Sequence, residues 1–180
     1  GSRAANFTIQ NSDLVISLGS RLDTRVTGGN PASFARNAIK IVIDVDKEEL
    51  GKKRGLKIDV KIRSDIKNFL KKYIIKSKSI VERKDWLKKC INWKKKYPIL
   101  NKEYRKEKEN VNPYVFIDYL SNILNKKDII IADDGAHLTW AIQGFKIKLG
   151  QKLFSAFGNS PMGYALPASI GASIVKKKLR

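Results

Sequence analysis

Apolar residues at Ala4, Phe7 and Ile9 are spaced for one face of a helix, which predicts a helix over residues 3–10. Asn11 and Ser12 interrupt it, and the apolar run Leu14 to Leu18 then predicts a buried strand. Gly19 to Pro31 is dense in Gly, Asp, Arg and Thr and reads as a loop, with Pro31 opening a helix over residues 32–38. A second strand is predicted at Ile41 to Val45, then a short helix capped by Asp46 and a weakly alternating edge strand from Leu56 to Ile62. Ser64 and Asp65 open a further helix whose apolar stripe is Ile66, Phe69, Leu70, Tyr73 and Ile74.

Strand followed by helix, repeated, is the pattern of a parallel sheet, and it resumes late in the chain. Between them, Lys76 to Asn110 is rich in Lys and Glu, with Trp86, Leu87, Cys90, Ile91 and Trp93 marking one helical face. Asn112 is a good N-cap followed by Pro113, so a helix is expected through Leu124. A strand at Ile129 to Ala132, a helix at Gly135 to Phe145, a short strand at Leu153 to Phe157 and a small-residue helix at Met162 to Val175 complete the pattern. The fold class read from this is α/β: a Rossmann-like parallel-sheet domain over residues 1–75, a helical linker over 76–111 and a second α/β domain over 112–180.

A chain of 180 residues that is 42% hydrophobic can bury a real core. Its 37 Lys and Arg against 17 Asp and Glu leave a charge of +20, which on electrostatics alone favours an anionic partner. No zinc-finger, RRM, KH or helix-turn-helix signature accompanies the charge, so it reads as a Lys-rich solvated surface and no nucleic-acid partner is expected. Cys90 is the sole cysteine, reads as a core residue, and allows no intrachain disulfide; a reducing, cytoplasmic location is expected. The apolar runs are too short or too interrupted to span a bilayer, so no membrane partner is expected. The opening Gly1-Ser2 reads as a cut beginning.

Two loops carry candidate chemistry. In an open parallel sheet, ligands bind beyond the carboxyl ends of strands, where loop amides and a helix N-terminus meet phosphate. Gly19 to Asn30 occupies such a position, and in an extended loop Arg21, Asp23, Arg25 and Thr27 would project to one side. That arrangement suits a diphosphate, with Asp44 and Asp46 placed to hold ribose hydroxyls; an Arg–Asp network that merely closes the loop suits the same residues, and both readings stand. The second loop, Asp134-Gly135-Ala136-His137, crosses from strand to helix. His137, the sole histidine, reads on its own as a partly buried hydrogen-bonding residue, and Asp133-Asp134 lacks a second ligand at metal-site spacing.

The residues around both loops resemble acetolactate synthases, a family of thiamine-diphosphate-dependent enzymes. Gly19-Ser20-Arg21-Leu22-Asp23-Thr24-Arg25-Val26-Thr27-Gly28 is similar to the family's Gly-x-Arg-Phe-Asp-Asp-Arg-Val-Thr-Gly. That match implies FAD contacts at Gly19, Arg21, Asp23, Arg25 and Val26, joined by Asp44, Val45 and Asp65. Gly135-Ala136-His137 stands in the family's Gly-Gln-His segment, and Ser160-Pro161-Met162-Gly163-Tyr164-Ala165-Leu166-Pro167-Ala168 resembles Gly-Ala-Met-Gly-Phe-Gly-Leu-Pro-Ala. Thiamine diphosphate is thereby implied at Gly135, Ala136, His137, Ser160 and Met162, with Met162 as the wedge that bends the cofactor. Trp86 to Pro98 matches a fourth family segment, and all four occur in family order.

The resemblance implies decarboxylation of a 2-oxo acid such as pyruvate followed by carboligation, in a homodimer or tetramer with its active site between subunits. It places the activating glutamate and the Mg²⁺ ligands outside these residues. No catalytic residue and no metal ligand is therefore expected among them, and the fragment alone is expected to be inactive. A decarboxylase or lyase of the same superfamily is the alternative, and a noncatalytic basic module a weaker one.

Overall fold

A computed structural model of the chain describes residues 1–76 and 81–178; residues 77–80 of the expected linker lie outside the described residues. The chain forms two compact units, Gly1–Tyr97 and Pro98–Arg180, each built on a parallel sheet as the strand–helix pattern predicted.

In the first unit, β1 (Leu14–Leu18), β2 (Ile39–Asp44) and β3 (Val60–Arg63) pair in that order, all parallel, with Ile16 opposite Ile41 and Ile43 opposite Ile62. Parallel neighbours need crossover segments, and these supply the core. Leu22, Phe34, Ala35, Ala38, Val42 and Leu50 are buried together on one sheet face, with Ile9, Val15, Leu56 and Ile58 against them. Ile9 belongs to α1 (Arg3–Gln10), whose Ser2 cap accepts from the Ala5 amide at 3.2 Å. Leu50 belongs to α3 (Lys47–Gly51), capped by Asp46 at the Glu48 amide at 2.8 Å.

Several sequence expectations need correction here. β1 is not buried on both faces: Leu14, Ile16 and Leu18 alternate away from this core and are 46%, 41% and 37% exposed. Residues 32–38 form no helix. Pro31–Ser33 make one 3-10 turn, and the Ala35 amide donates to Gln10 Oε1 at 3.1 Å, so a tertiary bond replaces the helical one. The expected loop contains a short helix, α2 (Thr24–Thr27). β3 begins at Val60 because Leu56 and Ile58 turn into the core instead of joining the sheet.

α4 (Ile66–Lys76) follows β3, with Asp65 Oδ1 accepting from the Asn68 amide at 3.0 Å. α5 (Lys84–Lys96) packs on α1 through aromatic rings: Phe7 lies 5.8 Å from Trp93 and 5.2 Å from Tyr97, and Trp86 meets Trp93 edge-on. The packed stripe is Trp86, Cys90, Trp93 and Tyr97, narrower than the sequence suggested; Leu87 and Ile91 are exposed, and Cys90 is half-buried.

In the second unit, α6 (Pro113–Ile123) starts where Asn112 Oδ1 accepts from the Tyr114 amide at 3.0 Å. It lies against α7 (Ala136–Gly144), and a Cβ on Gly144 would come within 3.3 Å of Ile117 and 3.4 Å of Tyr114. Tyr114 donates to Gln143 Oε1 across the same seam at 3.0 Å. Asp118 is buried on α6 and ion-paired at 2.5 Å to both Arg105, from a 3-10 turn the sequence did not suggest, and Lys146. The Lys146 hydrogen bond outweighs burial, and Arg105 adds to it, so the Asp118 carboxyl is held below its usual range.

β4 (Ile129–Ile131) pairs in parallel with β5 (Lys152–Phe154), and α8 (Ala165–Lys178) packs beside β4. β5 is shorter than expected, and α8 starts at Ala165 because Met162 and Gly163 form a turn. Among the described residues no helix is long and apolar enough to cross a membrane.

Ile43 is fully buried in the central strand. Replacing it with alanine is expected to cost about 2–5 kcal/mol in chemical denaturation, against about 0.5–1.5 kcal/mol for Ile43→Val.

Candidate functional site

The carboxyl ends of β4 and β5 lie side by side, with Ile131 opposite Phe154 and the Ala132 amide donating to the Phe154 carbonyl at 2.9 Å. Both following loops therefore emerge at one sheet edge. The first enters α7 through Gly135, whose φ of +145° is strained for any side chain. A Cβ there would also sit 2.9 Å from His137 Cε1 and 3.0 Å from Nδ1, so the residue keeps open a cradle beside the imidazole. Gly135 is the N-cap of α7 and, lacking a side chain, makes no side-chain hydrogen bond to the first amides at the positive end of the helix. His137 is exposed, not partly buried as the sequence alone suggested, because Leu138 takes the inward position.

The second loop carries Ser160 at φ +51° and Gly163 at φ +94°, with Met162 between them 87% exposed. The two loops are fastened by one carboxylate. Asp133 accepts from the Gly163 amide with both oxygens at 3.0 Å, from the Ala165 amide at 3.1 Å, and from its neighbour Asp134 at 2.8 Å. Burial pushes its pKa up, but the amides of Ala165, Asp134, Gly163 and Tyr164 outweigh that and hold it below the usual range. Thus Gly135, Ala136 and His137 are brought to the same edge as Ser160 and Met162. Asp133, weighed in the sequence only as a poor metal ligand, is the group that joins them. Its signal is the local one of an acid between a strand and a Gly-opened helix; its acceptor role depends on amides 30 residues away.

In the first unit the Gly19–Asn30 loop is closed by a different acid from the one expected. Gly19 leaves β1 at φ +58° with its amide on the Ile43 carbonyl at 2.9 Å, and a Cβ there would meet Ile66 at 2.6 Å. Asp23 is an N-cap: its Oδ1 accepts from Arg25 at 2.9 Å and Val26 at 3.3 Å, starting α2. The loop is therefore not extended, and the expected one-sided row of Arg21, Asp23, Arg25 and Thr27 does not form; Thr27 is buried, with its hydroxyl on the Asp23 carbonyl at 3.0 Å.

Arg21 pairs with Glu49 at 3.3 Å. Glu49 also binds Lys52 and Arg54, and Arg54 donates to the Arg21 and Leu22 carbonyls. Asp44 is buried and accepts from the Asp46 amide at 3.0 Å, Val45 is exposed, and Asp65 caps α4. The space lined by Arg21, Asp44, Glu49 and Arg54 is 10 Å³, about the room one water needs. Glu49 and Arg54 were not singled out in the sequence, since nothing in a Lys- and Glu-rich stretch marks one acid as a hub.

The family model described as thiamine pyrophosphate enzyme, central domain, matches residues 1–73, and the model of the C-terminal TPP binding domain matches residues 133–180. The chain belongs to the thiamine pyrophosphate enzymes. It is 35% identical over 176 residues to the acetolactate synthase large subunit of Lactococcus lactis and 38% identical over 180 residues to that of Cyanidium caldarium, covering 98% and 97% of this chain. It is 30% identical over 188 residues to the mitochondrial acetolactate synthase catalytic subunit of Saccharomyces cerevisiae. The chain spans about 30% of the length of the curated relatives it matches: 30%, 29% and 27% of these three.

For the diphosphate of thiamine pyrophosphate the residues present fit. The cradle at Gly135 is one a Cβ would fill, the N-cap residue of α7 is this glycine and brings no side chain to the first amides, and His137 stands beside both. At the first loop, Arg21 pairs with Glu49 through Nε, and Asp23, Asp44 and Asp65 each accept from backbone amides through one oxygen.

The Glu49 carboxyl is held below its usual range, first by the Lys52 hydrogen bond, against burial, with Arg54 adding a bond and charge. Its stabilisation is present above the ordinary carboxyl pKa of about 4.3 and is lost as pH falls through the lower folded value. Glu49→Gln is therefore expected to lower the thermal midpoint at neutral pH, with the gap to wild type closing in acid, as followed by circular dichroism.

Proposed function

We propose that the full-length protein is an acetolactate synthase-like enzyme that uses thiamine diphosphate and Mg²⁺ to decarboxylate a 2-oxo acid such as pyruvate and to join the remaining fragment to a second carbonyl compound. The observation that carries this reading is the joining of the Gly135–His137 turn to the Met162 turn at one sheet edge by Asp133. When bound, thiamine diphosphate supplies the nucleophilic carbon and the electron sink.

The chain's own part is placement. Gly135 leaves room for the diphosphate, the first amides of α7 donate to it, and His137 offers a ring nitrogen beside it. Met162, which packs against little of this chain, presents its thioether to the rest of the cofactor, and Ser160 with its left-handed backbone turns the loop toward it. Catalysis is proposed for the full-length protein, as a homodimer or tetramer, and not for these 180 residues alone. The same-superfamily decarboxylase or lyase reading shares this cofactor geometry and is separated by a panel of 2-oxo acids and acceptors.

Isothermal titration of the full-length protein with thiamine diphosphate and Mg²⁺ is expected to show saturable binding, and Met162→Ala to lower kcat/KM for pyruvate by at least roughly tenfold. Absence of binding, or of any 2-oxo acid turnover, would sink the proposal.

A further inference from the structure

We propose that Asp133 is a positioning residue that sets the distance between the diphosphate-holding turn and Met162, an inference that rests on the thiamine diphosphate reading above. Helix caps ordinarily come from the residue that immediately precedes the helix. α8 instead receives its acceptor from 32 residues upstream, on the loop of the neighbouring strand. Capping α8 and fixing the β4 loop to the β5 loop are thus one act.

Met162 depends on that act more than an ordinary side chain would. At 87% exposed it has almost no packing within the chain to locate it, and the residues around it, Ser160 and Gly163, hold left-handed backbone angles. The Gly163 amide, immediately after Met162, is the one Asp133 grips with both oxygens. Two residues beyond Asp133 in the other direction lies the Gly135 cradle. An asparagine in place of Asp133 keeps one acceptor oxygen but turns a donor toward amides that are themselves donors, so the two-sided grip is lost.

Two probes separate positioning from a general structural role in the full-length protein. Of the two turns, magnesium pyrophosphate needs the Gly135–His137 turn alone, its Mg²⁺ ligands lying outside these residues, whereas thiamine diphosphate needs that turn and Met162 in register. Asp133→Asn is expected to weaken thiamine diphosphate at least roughly tenfold, as loss of hydrogen bonds to a charged group does, while changing magnesium pyrophosphate affinity by less than about twofold. Met162→Ala is expected to show the same selectivity, and the double variant to be less than additive with the two singles. If Asp133→Asn proves too unstable to purify, Ala165→Pro removes one of the gripped amides at a helix position where proline is tolerated and is expected to show a smaller shift of the same kind.

Equal weakening of both ligands, unchanged affinity for thiamine diphosphate, or full additivity with Met162→Ala would overturn the positioning role. If wild type binds magnesium pyrophosphate and thiamine diphosphate with neither variant distinguishing them, the cofactor reading survives and this inference fails. If wild type binds neither ligand, the cofactor reading itself is wrong and the inference falls with it.

Discussion

Parallel pairing of short strands is the constraint on which the rest of this molecule depends. A parallel pair sends both chains out at the same edge, so each return must cross over, and each carboxyl end opens a loop beside its neighbour's loop. In the second unit the register of Ile131 with Phe154 places the turn at Gly135 beside the turn at Met162, although 27 residues of sequence separate them. In the first unit the pairing of β1 with β2 seats the Gly19 loop beside Asp44 and Glu49, so that a loop rich in arginine finds its counter-charge from the next crossover.

The two loops solve the same problem in opposite ways. At Gly19–Thr27 the polar groups are turned on one another. Asp23 starts α2, Glu49 gathers Arg21, Lys52 and Arg54, and the space left is water-sized. At Gly135–Met162 the carboxylate of Asp133 is spent on backbone amides between the loops, with a side-chain-free Gly135 at the N-cap of α7 and Met162 in the open. A loop whose charges are paired internally is a stable connection; one whose donors face outward can bind. The family matches cover both, and the physical difference between the two lies in where the acids were used.

Much of the fold was legible in the residues. Apolar runs of four or five bounded by Asn, Ser, Gly or Asp marked the strands, and Asn112-Pro113 marked the start of α6, because these signals act within a few residues. The misses share a cause. Residues 32–38 have helical composition, yet Phe34 and Ala35 are drawn into the core and the Ala35 amide is taken by Gln10. Leu56 and Ile58 alternate like a strand, yet the core claims them before the sheet does. Tertiary burial outweighs local preference where the two compete.

The sequence by itself determined the class of fold, the order of its strands, and the family signatures at Gly19–Gly28, Gly135–His137 and Ser160–Ala168, since each is written in consecutive residues. Only the tertiary structure decided which acid serves which partner. Glu49 rather than Asp23 holds Arg21, and Asp133 holds the Met162 turn from 30 residues away, because a carboxylate goes to whichever unpaired donors the strand register brings within hydrogen-bond distance, and that register is a property of the folded sheet.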